Sequence, residues 1–203
     1  MTAKYIVFEG IDRAGKTTAF EAICNMITKA NLEVEVFGVK EPLNKSAFSN
    51  IVPHDYEMIA LEMTEQRIPI LQYLKEHDVV ISDRSFISTY AYQGITEDTR
   101  KWIMEINNFI PNPDKVYLFD IDPVIALNRK GETPDELSFM EDVKFLDQVR
   151  QNFLKFKKEY PQIPIEIIDA SISKENIVDF IWNDLKEQYP FFNINSNRSL
   201  PLL

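Results

Sequence analysis

Gly10-Ile11-Asp12-Arg13-Ala14-Gly15-Lys16-Thr17 fits the pattern G-x-x-x-x-G-K-[ST], and Thr18 follows it. The apolar run Tyr5-Ile6-Val7-Phe8 comes before the motif, and a helical pattern comes after. Glycines at 10 and 15 let the backbone turn tightly and aim its N–H groups at phosphate oxygens. A helix starting near Lys16 adds the positive end of its dipole to that anion site. The Lys16 ammonium can reach β- and γ-phosphates, and the Thr17 hydroxyl can join the shell of a magnesium ion. A chance Gly-rich turn is the alternative. The chain has only five glycines, and two of them stand here with the correct flanks, which argues against chance. The run from Gly10 to Thr18 therefore implies a nucleoside triphosphate site.

A second group of reactive types follows the third apolar run: Asp83-Arg84-Ser85-Phe86-Ile87-Ser88-Thr89-Tyr90-Ala91-Tyr92-Gln93-Gly94. In a parallel sheet, ligands gather at the carboxyl ends of the strands, so Asp83 and Arg84 belong beside the phosphate loop. Asp83 can orient magnesium through water, and the Arg84 guanidinium can grip an acceptor phosphate with two prongs. A structural Asp–Arg pair at a helix start would give the same dipeptide. Ser88, Thr89 and Tyr92 share a helical face that offers hydroxyls beside a ring. That face could read a base and cover a sugar, although an aromatic core stripe has the same spacing. No Asn-Lys-x-Asp for guanine is present, since Asn44-Lys45-Ser46-Ala47 lacks the aspartate, and no Asp-x-x-Gly occurs on a second strand.

Short apolar runs alternate with helical patterns along the whole chain and would carry these groups. The expected strands are 5–8, 34–39, 79–82, 116–120 and 164–168, mostly continuous Val, Ile, Leu and Phe, as in strands covered on both faces. The expected helices are 16–30, 54–76, 86–93, 97–109, 123–130, 141–159 and 174–187. This alternation predicts a doubly wound, five-stranded parallel α/β sheet. Residues 1–188 read as one domain, with a polar flap at about 130–140 and a tail over 189–203.

Lys plus Arg number 22 and Asp plus Glu 32, a net charge of −10. Such a surface repels nucleic acid and anionic membranes, so phosphate binding must rest on a few local cations. No run approaches the ~20 apolar residues of a membrane span, and the N-terminus lacks the pattern of a secretory signal. The single cysteine, Cys24, suits a reducing compartment, and the cytoplasm is the expected location. His54 and His77 lack partners at zinc-ligand spacing.

Phe8-Glu9-Gly10-Ile11-Asp12-Arg13-Ala14-Gly15-Lys16-Thr17-Thr18 resembles the phosphate loop of thymidylate kinases, and the stretch Asp83-Arg84 to Gly94 resembles their next motif. Lys40-Glu41-Pro42, Arg67 and Ile168-Asp169-Ala170-Ser171 match in order, so the resemblance spans about residues 4–183. It implies phosphoryl transfer from ATP to deoxythymidine monophosphate, with magnesium, by a P-loop nucleoside monophosphate kinase that pairs as a homodimer. It places Asp12 near the sugar 3′-hydroxyl and acceptor phosphate, with Lys40 among the substrate contacts. Arg67 and Arg84 correspond to acceptor-phosphate clamps. Thr89, with Ser88 beside it, corresponds to the pyrimidine contact, and Tyr92 to the ring against the deoxyribose. Arg129 and Ala170 correspond to adenine contacts, and Glu141, Asp142 and Phe145 to the acidic stretch after the flap. The family divides by whether its transition-state arginine sits in the loop or in the flap. Arg13, with no arginine from 130 to 149, matches the first type.

The chain departs from the family at three places. Met63 stands where a phenylalanine usually stacks on thymine, Glu62 and Glu65 replace apolar or small residues, and Ser85 follows Asp-Arg in place of an aromatic or histidine. These changes bear on which base is accepted, and they leave a 5-substituted deoxyuridylate as an alternative acceptor. Asp-Arg-Ser is also similar to the Glu-Arg-Ser of deoxynucleoside kinases. A non-enzymatic nucleotide switch is the reading from another class.

Overall fold

The structure, a computed structural model, describes residues 3–30, 32, 34–52, 54–129 and 143–193. In chain order the elements are β1 (Lys4–Gly10), α1 (Lys16–Ala30), β2 (Val36–Lys40), α2 (Tyr56–Glu65), α3 (Ile68–Glu76) and β3 (Val79–Asp83). They continue with α4 (Phe86–Gln93), α5 (Glu97–Ile106), β4 (Lys115–Asp120), α6 (Pro123–Leu127), α7 (Val143–Glu159), β5 (Ile165–Asp169) and α8 (Lys174–Gln188). A 3-10 turn covers Lys45–Asn50 and another Pro190–Phe192.

The strands form one parallel sheet in the order β2-β3-β1-β4-β5. Central strands β1, β3 and β4 are almost wholly buried, as their unbroken apolar runs require, while the edge strands β2 and β5 are partly exposed. Register sets the site: Phe8 and Lys40 pair with Asp83, Gly10 with Phe119, and Asp120 with Asp169. The chemistry-bearing ends of all five strands therefore lie along one edge.

Side chains alternate across the sheet, and β1 shows how that divides the molecule. Phe8 meets Phe20 of α1 and Tyr117 of β4 edge to face, at 6.3 and 5.5 Å between centroids. Glu9 points the other way, to α4. α1 packs with α8 on the first face, and α4 packs with α2, α5 and α7 on the second. Tyr90 of α4 and Phe156 of α7 meet at 4.9 Å and 75°.

The expected helix over 54–76 is two helices. Pro69 has no N–H and would break a continuous ladder, but it is tolerated in the first turn of α3. The break at Gln66–Arg67 turns Arg67 into the interior, where none of it is exposed. The expected flap (130–140), Glu141, Asp142 and the tail beyond 193 lie outside the described residues. Among the described residues, no helix is long and apolar enough to cross a membrane.

Candidate active site

The loop between β1 and α1 is shaped by three residues in the left-handed region: Gly10 (φ 142°), Arg13 (φ 64°) and Gly15 (φ 98°). A Cβ on Gly10 would lie 2.5 Å from the Phe119 carbonyl oxygen, so a side chain there would collide with β4. Arg13 has no such exemption, and its strained backbone at this place marks a functional turn. Beyond Gly15 the first N–H groups of α1 have no partner within the helix and face the space above the loop. The Lys16 Nζ donates to the Ile11 carbonyl at 2.7 Å. Burial, helped by the nearby Arg84 charge, brings the Lys16 pKa down to about 8 against the opposing pull of Asp12 and Asp83.

A cavity of about 530 Å³ opens above this loop, lined by residues 13–19 with Arg129, Ile172, Lys174 and Ile177. Arg129 ties its walls together. Its guanidinium donates to the carbonyls of Arg13 (3.1 Å), Ala14 (2.9 Å) and Ala170. The Arg13 guanidinium donates to the Leu127 carbonyl at 3.1 Å, at the end of α6. On the sheet side, the Thr17 hydroxyl donates to Asp83 Oδ2, while Asp83 Oδ1 is buried without a partner. An unsatisfied carboxylate oxygen beside a hydroxyl and a phosphate loop suits a magnesium ion, a hard cation that prefers oxygen and shares its shell with phosphates. Among the described residues no group of three or more His, Cys, Asp or Glu is placed to hold a metal ion.

A second cavity of about 720 Å³ lies across the loop. Asp12, Arg84, Ser88, Thr89, Tyr92 and Gln93 form its polar wall; Pro42, Phe48, Ile51, Val52, Ile59 and Met63 form its apolar wall, and His54 stands at the rim. Arg84 also has a left-handed backbone (φ 80°), held by its N–H donating to the Phe8 carbonyl at 3.0 Å. Its guanidinium pairs with Asp12, donates to Ser88 Oγ at 3.0 Å and lies 5.1 Å from the Tyr92 ring centroid. Burial alone would raise the Asp12 pKa, but the Arg84 and Lys16 cations hold it below the usual carboxylate range. Asp12 and Arg13 are adjacent in the chain, so the two cavities meet at this dipeptide.

Beneath the second cavity is a buried polar floor. Glu9 accepts from Ser85 Oγ (2.7 Å), Ser88 N (3.1 Å) and Ser88 Oγ (2.6 Å). Burial pushes its pKa up to about 7 although the two serines and Arg84 stabilise the carboxylate. Arg67 donates to Glu41 Oε2 (2.9 Å), Asn107 Oδ1 (3.0 Å), the Ser85 carbonyl (3.0 Å) and Thr89 Oγ1 (2.7 Å).

The structure thus gathers Asp12, Met63, Arg84, Ser88, Thr89 and Tyr92 around one cavity, and residues 13–18 with Arg129 around the other. Ala170 joins through its bond to Arg129. Two expected substrate contacts are placed differently. Arg67 lies under the floor with its guanidinium committed to protein acceptors and is not offered to a phosphate in the cavity. Lys40 ends β2 with its ammonium on Glu21 of α1. Sequence reasoning missed Gln93, Ile172, Lys174 and the apolar wall from Phe48 to Val52. Gln93 alone was within reach, because it follows Thr89 by one helical turn.

A phosphate loop and a second cavity facing each other across the carboxyl edge of a parallel sheet define a P-loop kinase. The thymidylate kinase family model matches residues 8–181. A probable thymidylate kinase from Saccharolobus solfataricus is 30% identical over 182 residues, covering 87% of this chain and 93% of that one. Another from Methanosarcina acetivorans is 33% identical over 197 residues, with 87% and 92% covered. A solved thymidylate kinase structure from Candida albicans superposes with a TM-score of 0.75 at 19% identity, over 95% of this chain and 94% of that one, and so shares the fold. The chain belongs to the thymidylate kinase family, and membership makes it a phosphotransferase that uses nucleotides.

Proposed function

We propose that this chain transfers the terminal phosphoryl group of ATP to thymidine monophosphate, giving ADP and thymidine diphosphate. The observation that carries this reading is the meeting of a phosphate-loop cavity and an acceptor cavity at Asp12–Arg13. Residues 10–18 hold the ATP phosphates, and Arg129 with the Ala170 backbone holds the adenine side. Arg84 grips the acceptor phosphate. Asp12 orients the Arg84 guanidinium and faces the sugar, Tyr92 lies against the deoxyribose, and Thr89 with Ser88 meets the base over Met63.

Phosphoryl transfer of this kind spreads negative charge over three equatorial oxygens, and catalysis is mainly placement and electrostatics. Lys16 and Arg13 supply the cations, with Arg13 moving from the Leu127 carbonyl onto the phosphates. Thr17 and Asp83 would hold magnesium, which when bound neutralises the β- and γ-oxygens. Arg67 acts as a buried brace for the floor in place of a phosphate clamp, because its donors already serve Glu41, Asn107, Ser85 and Thr89. Lys40 contributes positive potential near the acceptor with no contact of its own.

The test is ATP labelled in its terminal phosphate, incubated in turn with thymidylate, deoxyuridylate, deoxycytidylate and 5-hydroxymethyl-deoxyuridylate. Label appearing in a nucleoside diphosphate, fastest with thymidylate, is the expected result. Slow release of inorganic phosphate regardless of acceptor would point to a switch and overturn the reading. The apolar wall and flexible Met63 support a second acceptor, a deoxyuridylate bulkier at the 5-position, whose specificity constant would then exceed that of thymidylate.

Self-association belongs to the same reading. Met58 and Leu61 of α2 and Ile68 of α3 are about half exposed, and a second copy of the chain would cover them.

A further inference from the structure

We propose that Arg129, just past α6, is a positioning residue that fixes the phosphate-loop backbone from which the Arg13 side chain reaches the transferring phosphoryl group. The proposal rests on the preceding assignment of phosphoryl transfer to this site and of a transition-state cation to Arg13. It gives Arg129 a second task beside its contact on the adenine side.

Arg13 needs such a support. Its φ of 64° is a left-handed backbone without the freedom of glycine, a conformation that lasts only where neighbours hold it. Arg129 Nη1 donates to both carbonyls of that turn, Arg13 at 3.1 Å and Ala14 at 2.9 Å. Its Nη2 donates to the Ala170 carbonyl just past β5, which ties the guanidinium to the sheet edge. The same Nη1 sits so close over the loop that a Cβ on Gly15 would touch it, at 3.4 Å.

A trans peptide points its C=O and N–H in opposite directions, so each carbonyl held by Arg129 turns the following N–H away from it. The Ala14 N–H turns inward to the Ile11 carbonyl at 3.3 Å, the carbonyl that also receives Lys16 Nζ. The Gly15 N–H, on the peptide of the Ala14 carbonyl, is fixed by the second bond. Arg13 and Ala14 line the donor cavity, where bare carbonyl oxygens would repel phosphate, and the guanidinium reverses that sign. The Arg13 guanidinium rests on the Leu127 carbonyl at 3.1 Å. That bond belongs to the side chain and is exchanged when phosphate arrives, whereas the Arg129 bonds hold the pivot and stay. The donors lie in the guanidinium plane, so its faces remain open to a base.

The experiment measures kcat and the KM for ATP, with thymidylate saturating, in the wild type, Arg129→Ala, Arg13→Ala and the double variant. Arg129→Gln takes the place of the alanine form should that not fold. Arg129→Ala should lower kcat at saturating ATP about ten-fold or more, whatever it does to KM. In the Arg13→Ala background the same change should lower kcat by less than about three-fold, because the group it aims is gone. An effect confined to the KM for ATP marks a base contact alone and overturns the inference. Equal factors in the two backgrounds overturn it as well. A wild type that phosphorylates no nucleoside monophosphate, or an Arg13→Ala form that keeps its full kcat, fails the preceding assignment instead, and the inference falls with it.

Discussion

Arg13, Lys16 and Arg84 divide the electrostatic work, and their surroundings predict separable defects. The Arg13 guanidinium rests on the Leu127 carbonyl at the wall of the phosphate-loop cavity. Arg13→Ala should lower kcat by ~10³ or more while changing ATP affinity by only a few-fold, since a comparable arginine acts on the transition state. Steady-state kinetics alongside calorimetric ATP titration checks this; equal losses in both would contradict it. Arg84→Ala should instead cut kcat/KM for the acceptor by ~10² or more, because it removes the charge facing the acceptor cavity and unpairs Asp12. Lys16 gives a pH prediction. In the free protein its pKa is lowered by burial to about 8, and bound phosphates stabilise the ammonium and raise it again. ATP binding at pH 8 should therefore take up protons, with affinity falling as pH rises further. Calorimetry in buffers of different ionisation enthalpy reads the uptake, which should vanish near pH 6. At this scale the phosphate loop was legible because its chemistry is local in sequence. The setting of Arg67 was not, because its partners at 41, 85, 89 and 107 come together only in the fold, and Lys40 was taken up by Glu21 for the same reason.

At the scale of elements, α4 is the platform on which the acceptor wall stands, and its anchor is a buried serine pair at its N-terminus bonded to Glu9 of β1. Ser85 caps the helix by accepting from Ile87 N at 3.2 Å and also donates to Glu9. Ser85→Ala loses the cap and one of the bonds to Glu9, and should destabilise the protein by about 1–2 kcal/mol, a few degrees in Tm by calorimetry. Glu9 predicts a pH trend of definite sign. Burial raises its pKa from 4.5 to about 7, so between those values the folded chain binds more protons than the unfolded one. Its contribution to stability is full below pH 4.5 and is lost as pH rises through 7. Glu9→Gln should flatten the stability profile over that window in denaturant titrations, and an unchanged slope would contradict the assignment. The strands were legible because their apolar runs need cover on both faces. Glu9 interrupts such a run, and that interruption was the available sign of a buried functional acid. The helix break at Gln66–Arg67 was visible only as Pro69, since periodicity alone runs through it.

At the scale of the molecule, a chain with net charge −10 binds two polyanions by placing its cations at one edge of one sheet. Parallel topology makes this work, because register brings Gly10, Asp83 and Asp120 to the same edge. The exposed Met58, Leu61 and Ile68 should hold two copies together, and Leu61→Glu should shift the mass seen by light scattering from dimer to monomer. The central claim is that donor and acceptor meet at Asp12–Arg13. A crystal structure with ADP and thymidylate bound tests it most directly. The account predicts the ADP phosphates over Gly15–Thr17, and the thymidylate phosphate on Arg84 with its deoxyribose against Tyr92 and its base over Met63. Thymidylate bound elsewhere, or the Arg84 guanidinium turned away from its phosphate, would contradict it.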